Sequence, residues 1–384
     1  MTTSPDTSGS SGDWRAAAAH LADRLTEQGT ITDPAWRATV AAVPRHRFVP
    51  AFYSDDDEPR LITAEDPEWL ATVFSDETLV TQRKEHPDQP GFAWSTSSST
   101  RPGLMLRMLD LLDVHDGTTV LEIGTGTGYN AALLSERLGA DAVTTMDIDP
   151  ELTDAARARL ADAGYRPTVV TGNGPDGYPP NAPYDRVIAT VANESVPYAW
   201  VQQTRPGGII LADVRPRGMT WAGALALLTV ADDGTATGPL VSCTWGFMST
   251  RTDVEHPGTP NAIPIDMRTM QTRTSQLSGE AIQTPGLSLL IWQHLPGINA
   301  FPGADNISIT TPDGSWATVT KTTPAKVEHD GPRDIWSEVE EARNWWVRHG
   351  NPDVDAFDFT VHGPGDQRLW HRAPNGPSLA PRSP

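Results

Sequence analysis

Apolar and polar residues follow two rhythms along this chain. A helical spacing, with apolar residues every third or fourth position, marks residues 14–25, 34–43 and 103–112. Short apolar runs at 120–123, 142–146, 169–171, 185–190 and 209–214 predict strands. Helical stretches after Gly128, after Asp149 and at 196–203 separate them. Strands alternating with helices predict an α/β fold, a doubly wound and mainly parallel sheet covered on both faces. Residues 222–230 and 240–247, joined by Asp232-Asp233-Gly234, predict a β-hairpin closing its edge. Beyond residue 250 the rhythm changes. Residues 251–285 are rich in Thr, Pro and Gln and predict a linker or long loops. Runs at 287–292, 306–310 and 316–321 predict strands, 334–349 an amphipathic helix, and 357–361 with 367–370 a hairpin. Together these predict a smaller α+β domain. The acidic stretch 54–68 predicts an exposed loop, and the polar ends, 1–13 and 373–384, are expected to be disordered.

Residues 120–129, Val-Leu-Glu-Ile-Gly-Thr-Gly-Thr-Gly-Tyr, join a predicted strand to a predicted helix through three alternate glycines. Such a turn brings backbone amides close to a ligand, because glycine leaves no Cβ in the way. A dinucleotide site asks for Gly-x-Gly-x-x-Gly. Here Gly128 comes one position early and Tyr129 holds the expected place. Glu122, a carboxylate ending an otherwise apolar strand, needs a partner and suits a cationic amino acid better than a phosphate. The pattern points to S-adenosylmethionine rather than NAD, with Glu122, Gly124, Thr125, Gly126, Thr127, Gly128 and Tyr129 as candidate contacts. Asp147 ends the next strand, where it can accept hydrogen bonds from ribose hydroxyls, with Ile148 beside it. Asp149 and Pro150 read as the N-cap and first residue of the following helix. Asn173 and Gly174 follow the third strand, where an adenine edge would lie; Asn173 reads equally as an ordinary turn residue.

Composition narrows the partners. The chain has 384 residues and a formal net charge of −20, which argues for more than one domain and against nucleic acid or an anionic membrane as partner. No apolar stretch approaches a membrane span and no signal-peptide core stands near the N-terminus, so a cytoplasmic protein is expected. The single cysteine, Cys243, excludes an internal disulfide framework and any cysteine-rich metal site, and no metal is expected. Cys243 lies in a strand-like run and reads as a small core residue.

Three further stretches carry a family resemblance. Val43-Pro44-Arg45-His46-Arg47-Phe48-Val49-Pro50, Ser75-Asp76-Glu77-Thr78-Leu79-Val80-Thr81-Gln82 and Ser97-Ser98-Ser99-Thr100-Arg101-Pro102 stand in that order before the glycine loop. With it they make residues 40–250 resemble the protein-L-isoaspartate O-methyltransferases, a branch of the class I S-adenosylmethionine-dependent enzymes. The resemblance implies a Rossmann-like doubly wound core over 101–250. It also implies an N-terminal helical region with a substrate loop over 14–100, while the α+β extension over 251–372, a candidate for peptide recognition, continues past the family's usual end. Two departures stand out. Thr100 holds the place where the family has a serine two before the proline, and Asn173 replaces the aspartate of a Gly-Asp-Gly turn. The extended, tryptophan-rich form also resembles methyltransferases associated with ribosomally made peptides, including ATP-grasp-cyclised peptides and some lanthipeptides. That resemblance implies methylation of an ordinary aspartate in a modified precursor peptide.

Carboxylate methylation asks little of acid–base groups. The acceptor is already ionised near neutral pH, so catalysis is mostly in-line positioning, worth up to roughly 7–11 kcal/mol. Thr100 and Ser99, with Ser98, are candidates for orienting the carboxylate; Ser97 and Ser98 are candidates for the peptide backbone. A peptide acidic at its target meets a chain of net charge −20, so local positive charge is needed. Arg83, Lys84, His86, Arg101 and Arg107 lie near the substrate loop, and Arg101 is expected to pair with a substrate carboxylate. The ester would then close to a succinimide as the following backbone amide expels methanol. The expected function is methylation of an aspartate in a modified ribosomal peptide; the alternatives are an isoaspartate repair enzyme and an inactive cofactor-binding interaction protein.

Overall fold

The computed structural model describes residues 14–56, 58–86, 89–216, 219, 221–243, 246–251, 270–372 and 376–379. The expectation for residues 1–13 falls outside them, as does most of that for the C-terminal tail. Two compact units meet in sequence at Gly174 and Pro175.

The first unit opens with α1 (Trp14–Glu27) and α2 (Pro34–Ala42). Helix α1 buries Ala18, Leu21, Ala22 and Leu25, the single stripe that its spacing dictates. Asp33 caps α2 by accepting the Ala35 amide, with Pro34 at the first helical position. Two short helices, α3 (Arg45–Phe48) and α4 (Trp69–Val73), lie among the strands of an antiparallel sheet. Those strands are β1 (Ala51–Tyr53), β2 (Leu61–Thr63), β3 (Leu79–His86) and β4 (Gln89–Ser99), in the order β2-β1-β3-β4. The acidic stretch expected as a loop therefore contains β2, with Arg60 just before it paired to Asp66 and Glu68.

Helix α5 (Pro102–Leu111) leads to the alternating part of the unit. There β5 (Val120–Ile123), α6 (Tyr129–Leu138), β6 (Val143–Asp147), α7 (Pro150–Ala163) and β7 (Thr168–Thr171) follow one another. The three strands are parallel in the order β5-β6-β7, with Val120 opposite Val143 and Thr144 opposite Thr168. All of β5 is buried, as an apolar strand covered on both faces must be.

The second unit continues with β8 (Tyr184–Asn193), α8 (Tyr198–Gln203), β9 (Thr204–Val214), β10 (Ala224–Val230) and β11 (Ala236–Ser242). Strands β8 and β9 are parallel, and β10 and β11 form the expected antiparallel hairpin. Its second strand ends before Cys243, which is half-buried beyond it; residues 244–245 lie outside the described ones. Next come β12 (Gln271–Ser275), α9 (Pro285–His294), β13 (Asn299–Pro302), β14 (Asn306–Thr310), β15 (Trp316–Thr320), β16 (Ala325–Asp330), α10 (Ile335–Arg348), β17 (Phe357–Gly363) and β18 (Asp366–His371). A five-stranded antiparallel sheet runs β12-β16-β15-β14-β13 around a core that includes Ile307, Val319, Val327 and Trp336. The terminal β17–β18 hairpin pairs instead with β11.

Two expectations for this unit need correction. Residues 287–292 are helical, within α9. Gly286 to Ile291 are buried without interruption, so the helix has no polar face and its apolar run cannot be told from a strand by periodicity. The predicted linker contains β12, whose polar sequence is held by pairing with β16 from Gln271–His329 to Ser275–Ala325. Of the tail, residues 376–379 are described, and the Pro377 carbonyl accepts from the His371 amide. Among the described residues no helix is long and apolar enough to cross a membrane.

Candidate active site

The glycine turn after β5 is stitched to the neighbouring strand. The amides of Gly124 and Thr125 both donate to the Met146 carbonyl, at 2.8 and 3.0 Å. The buried Thr125 and Thr145 hydroxyls share a 2.7 Å hydrogen bond, and Thr127 Oγ1 accepts from the Tyr129 amide at 3.4 Å. Gly126 has φ +50° and Gly128 φ +86°, in the left-handed region that favours glycine. A Cβ on Gly128 would also stand 3.1 Å from Ala156 Cβ, so this position seats α6 on α7.

The acidic residues around the turn have distinct surroundings. Asp147 Oδ2 accepts from the Gly126 amide at 2.9 Å, and Oδ1 accepts from the Asp149 amide at 3.2 Å. Ile148 is half-buried between them. Asp149 is the N-cap of α7 and accepts the Glu151 amide at 3.0 Å. Burial raises its pKa, but hydrogen bonds from Lys84, which lies 3.2 Å away, and from the Glu151 amide outweigh this and hold the carboxyl below its ordinary value. Glu122 is 1% exposed beneath the turn. Asn130 Nδ2 donates to its Oε1 at 2.7 Å, while Oε2 makes no hydrogen bond of ordinary geometry. Burial pushes the Glu122 carboxyl up to about 7, against the hydrogen bonds of Thr145 and Asn130. Asn173 is exposed after β7, and Gly174 is buried, with room for no Cβ before Ile123. Tyr129 turns into the interior, where its ring packs against Phe48 and lies under the Arg45 guanidinium. Burial raises its hydroxyl to about 12.

The serine-rich segment does not form a loop. Ser97, Ser98 and Ser99 belong to β4 and pair with β3, Leu79 opposite Ser99 and Val80 opposite Ser98. Ser97 and Ser99 are buried, and Ser98 and Thr100 half-buried. This strand reaches the glycine turn: a Cβ on Gly126 would stand 3.6 Å from both Ser97 Oγ and the Ser98 carbonyl. Strand β3 reaches the start of α7, since Lys84 and Gln82 contact Asp149 while Thr96 donates to Gln82 at 2.8 Å. Arg101 stands at the N-terminus of α5, and its guanidinium is paired with Asp76, which also accepts the Gly103 amide. A substrate carboxylate would have to compete with Asp76 for it.

Sequence reasoning passed over Arg45 as a site residue, although it lies in one of the stretches that carried the resemblance. It is 0% exposed. Its Nη1 donates to the carbonyls of Val73 and Ser75 at 2.7 and 2.9 Å. Its Nη2 donates to the Glu77 carbonyl at 3.2 Å, and to Ser99 Oγ and the Thr100 carbonyl at 3.3 Å each. The signal available was a charge enclosed by Val43, Phe48 and Val49, all now buried.

The residues around the turn fit S-adenosylmethionine. A carboxylate has about four acceptor positions, and Asp147, at the end of β6 beside the Gly126 amide, is an acceptor of the kind that ribose hydroxyls need. The incompletely bonded Oε2 of Glu122 suits a cationic group, and the absence of a Cβ at Gly126 is what lets Ser97 and Ser98 of β4 come close to the turn.

Comparison with known proteins agrees with this geometry. The family model for protein-L-isoaspartate(D-aspartate) O-methyltransferase matches residues 16–225. A protein-L-isoaspartate O-methyltransferase of Thermococcus onnurineus is 32% identical over 51% of this chain and 76% of its own length. One from Methanopyrus kandleri is 32% identical over 58% of this chain and 85% of its own length. A solved protein-L-isoaspartate O-methyltransferase superposes with a TM-score of 0.54 at 19% identity, covering 92% of this chain and 99% of that one. That likeness shows a common fold, and it extends beyond the alternating core.

Proposed function

The chain belongs to the protein-L-isoaspartate(D-aspartate) O-methyltransferase family, and on that premise we propose that it methylates the side-chain carboxylate of isoaspartyl residues in peptides and proteins. It is an S-adenosylmethionine-dependent carboxyl O-methyltransferase. The observation that carries the substrate assignment is the approach of the hydroxyl-bearing strand β4 to the glycine turn within one compact unit.

The cofactor, when bound, supplies an electrophilic methyl on a sulfonium; a carboxylate oxygen bonds to that carbon as the C–S electron pair returns to sulfur. The chain's own part is to hold the two reactants. In our assignment the backbone of 124–128, with Glu122 and Asp147, grips the cofactor, and Asn173 and Gly174 border its adenine. Ser99 and Thr100 donate hydrogen bonds that aim the acceptor carboxylate, with Ser97 and Ser98 along the peptide backbone. No general base is needed, since the acceptor is ionised at neutral pH. The methyl ester carries a better leaving group than the free acid, and the following backbone amide closes the succinimide with loss of methanol.

A second reading is methylation of an ordinary aspartate in a modified ribosomal peptide. It is favoured by Thr100 and Asn173, which stand where the family resemblance implies serine and aspartate. The C-terminal extension does not separate the readings, because the solved isoaspartate methyltransferase is matched across 92% of this chain.

Mass spectrometry after incubation with S-adenosylmethionine tests both. Gain of one methyl on isoaspartyl peptides, absent from matched aspartyl peptides, is the expected result. Methylation confined to a cyclised precursor replaces it with the second reading, and no transfer to any carboxylate defeats both. Thr100→Val, which keeps the shape and removes the hydroxyl, is expected to lower kcat/KM on the order of ten-fold, the worth of one such hydrogen bond. Cofactor affinity should stay within two-fold. An unchanged kcat/KM removes Thr100 from the assignment.

A further inference from the structure

The partners of Arg45 are all neutral. Its five hydrogen bonds end on four backbone carbonyls and one hydroxyl. Among the described residues no carboxylate lies within ion-pair distance of it; Asp76 and Glu77 act on it only through space. Asp76 is itself committed to Arg101 and the Gly103 amide. Burial lowers the Arg45 pKa to about 10, so the group stays charged at neutral pH. A buried cation is costly; the five hydrogen bonds and the field of Asp76 and Glu77 offset part of that cost, and a negative charge brought close would offset more.

The geometry shows where that charge would arrive. Ser99 Oγ accepts from Arg45, which occupies a lone pair and leaves the hydroxyl proton to be donated elsewhere. The Thr100 carbonyl is held by the same nitrogen, so both residues assigned to the acceptor carboxylate are fixed by one guanidinium. A carboxylate bonded to Ser99 lies two hydrogen bonds from the charge, at about the 4–6 Å where opposite charges still favour ionisation.

We infer that Arg45 is a positioning residue for the acceptor carboxylate: it orients Ser99 and Thr100 and supplies the buried counter-charge for the anion they receive. This rests on the carboxyl methyltransferase reading. Methyl transfer removes the negative charge from the acceptor, so a fixed cation favours the bound carboxylate over the transition state. Its charge therefore acts on peptide affinity more than on kcat.

The test compares Arg45→Met and Arg45→Lys with the unaltered protein loaded with S-adenosylhomocysteine. Binding of a fluorescent isoaspartyl peptide and of its side-chain amide analogue is followed by anisotropy, and cofactor affinity by calorimetry. Arg45→Met is expected to weaken the carboxylate peptide on the order of ten-fold while the amide analogue and the cofactor stay within two-fold. Arg45→Lys keeps the charge and is expected to keep the preference for carboxylate over amide within about three-fold. Equal loss for both peptides in Arg45→Met reduces the residue to a structural staple and overturns the inference. So does loss of the preference in Arg45→Lys, which decides the matter alone where the methionine variant does not fold. Failure of the unaltered protein to methylate any carboxylate peptide overturns the functional reading first, and this inference with it.

Discussion

Asp147→Ala is expected to weaken S-adenosylmethionine binding on the order of a hundred-fold. The carboxylate's structural tasks include accepting the Gly126 amide at 2.9 Å and the Asp149 amide at 3.2 Å. The first fixes the glycine turn and the second sets the start of α7, so alanine loosens the cradle before any ligand arrives. It also removes the acceptors assigned to the ribose hydroxyls. Hydrogen bonds to a charged group are worth roughly 1.5–3 kcal/mol each, and loss of two amounts to a hundred-fold or more. Asp147→Asn keeps one acceptor and should fall between, near ten-fold. Calorimetric titration reads both, with circular dichroism confirming the fold. A dissociation constant within two-fold of the original for Asp147→Ala would remove Asp147 from the cofactor site.

The second large effect is a gain in stability. Glu122 titrates at about 7 in the folded protein against an ordinary value of 4.5, because burial disfavours its charged form. Below the ordinary value both states are protonated and Glu122 has no effect. As pH rises from there to about 7, the unfolded chain gives up the proton while the folded chain holds it, so stability falls. Above that range the full penalty applies, on the order of 3 kcal/mol for a shift of this size. Glu122→Gln removes the charge and still offers an oxygen to Asn130 Nδ2. The ligand-free variant should therefore be more stable than the original at pH 8 by up to about 3 kcal/mol, with the difference vanishing by pH 4. Urea unfolding at both pH values measures this, and parallel stability at the two would refute it. The same variant should bind S-adenosylmethionine more weakly, since the destabilising carboxylate is the one assigned to the cofactor's cationic end.

Much of the cofactor half was legible in the sequence because its geometry is local. Three alternate glycines after an apolar strand leave few choices for the backbone, and Gly126 and Gly128 do adopt positive φ. Asp149 with Pro150 announced the start of α7 in the same way. The acceptor half was less legible. Ser97 to Ser99 look like a polar loop, yet they belong to β4, because the partner strand β3 supplies the pairing that their composition does not advertise. In the second unit, the buried run within α9 lacks any polar face, and β12 is held by its neighbour β16 rather than by its own pattern.

Arg101 and Arg45 mark the boundary most clearly. By position in the chain Arg101 is the cation beside the acceptor residues, but folding brings Asp76 to it. Arg45 is far away along the chain, but folding sets its guanidinium against Ser99 and Thr100. Local spacing thus determined the glycine turn, Glu122 just ahead of it and the alternation of strands and helices from β5 to β9, since each depends on residues a few positions apart. The pairing of charges and the placing of hydroxyls were decided only by the tertiary structure. Both depend on which distant segments share a buried, low-dielectric space, and no local pattern records that.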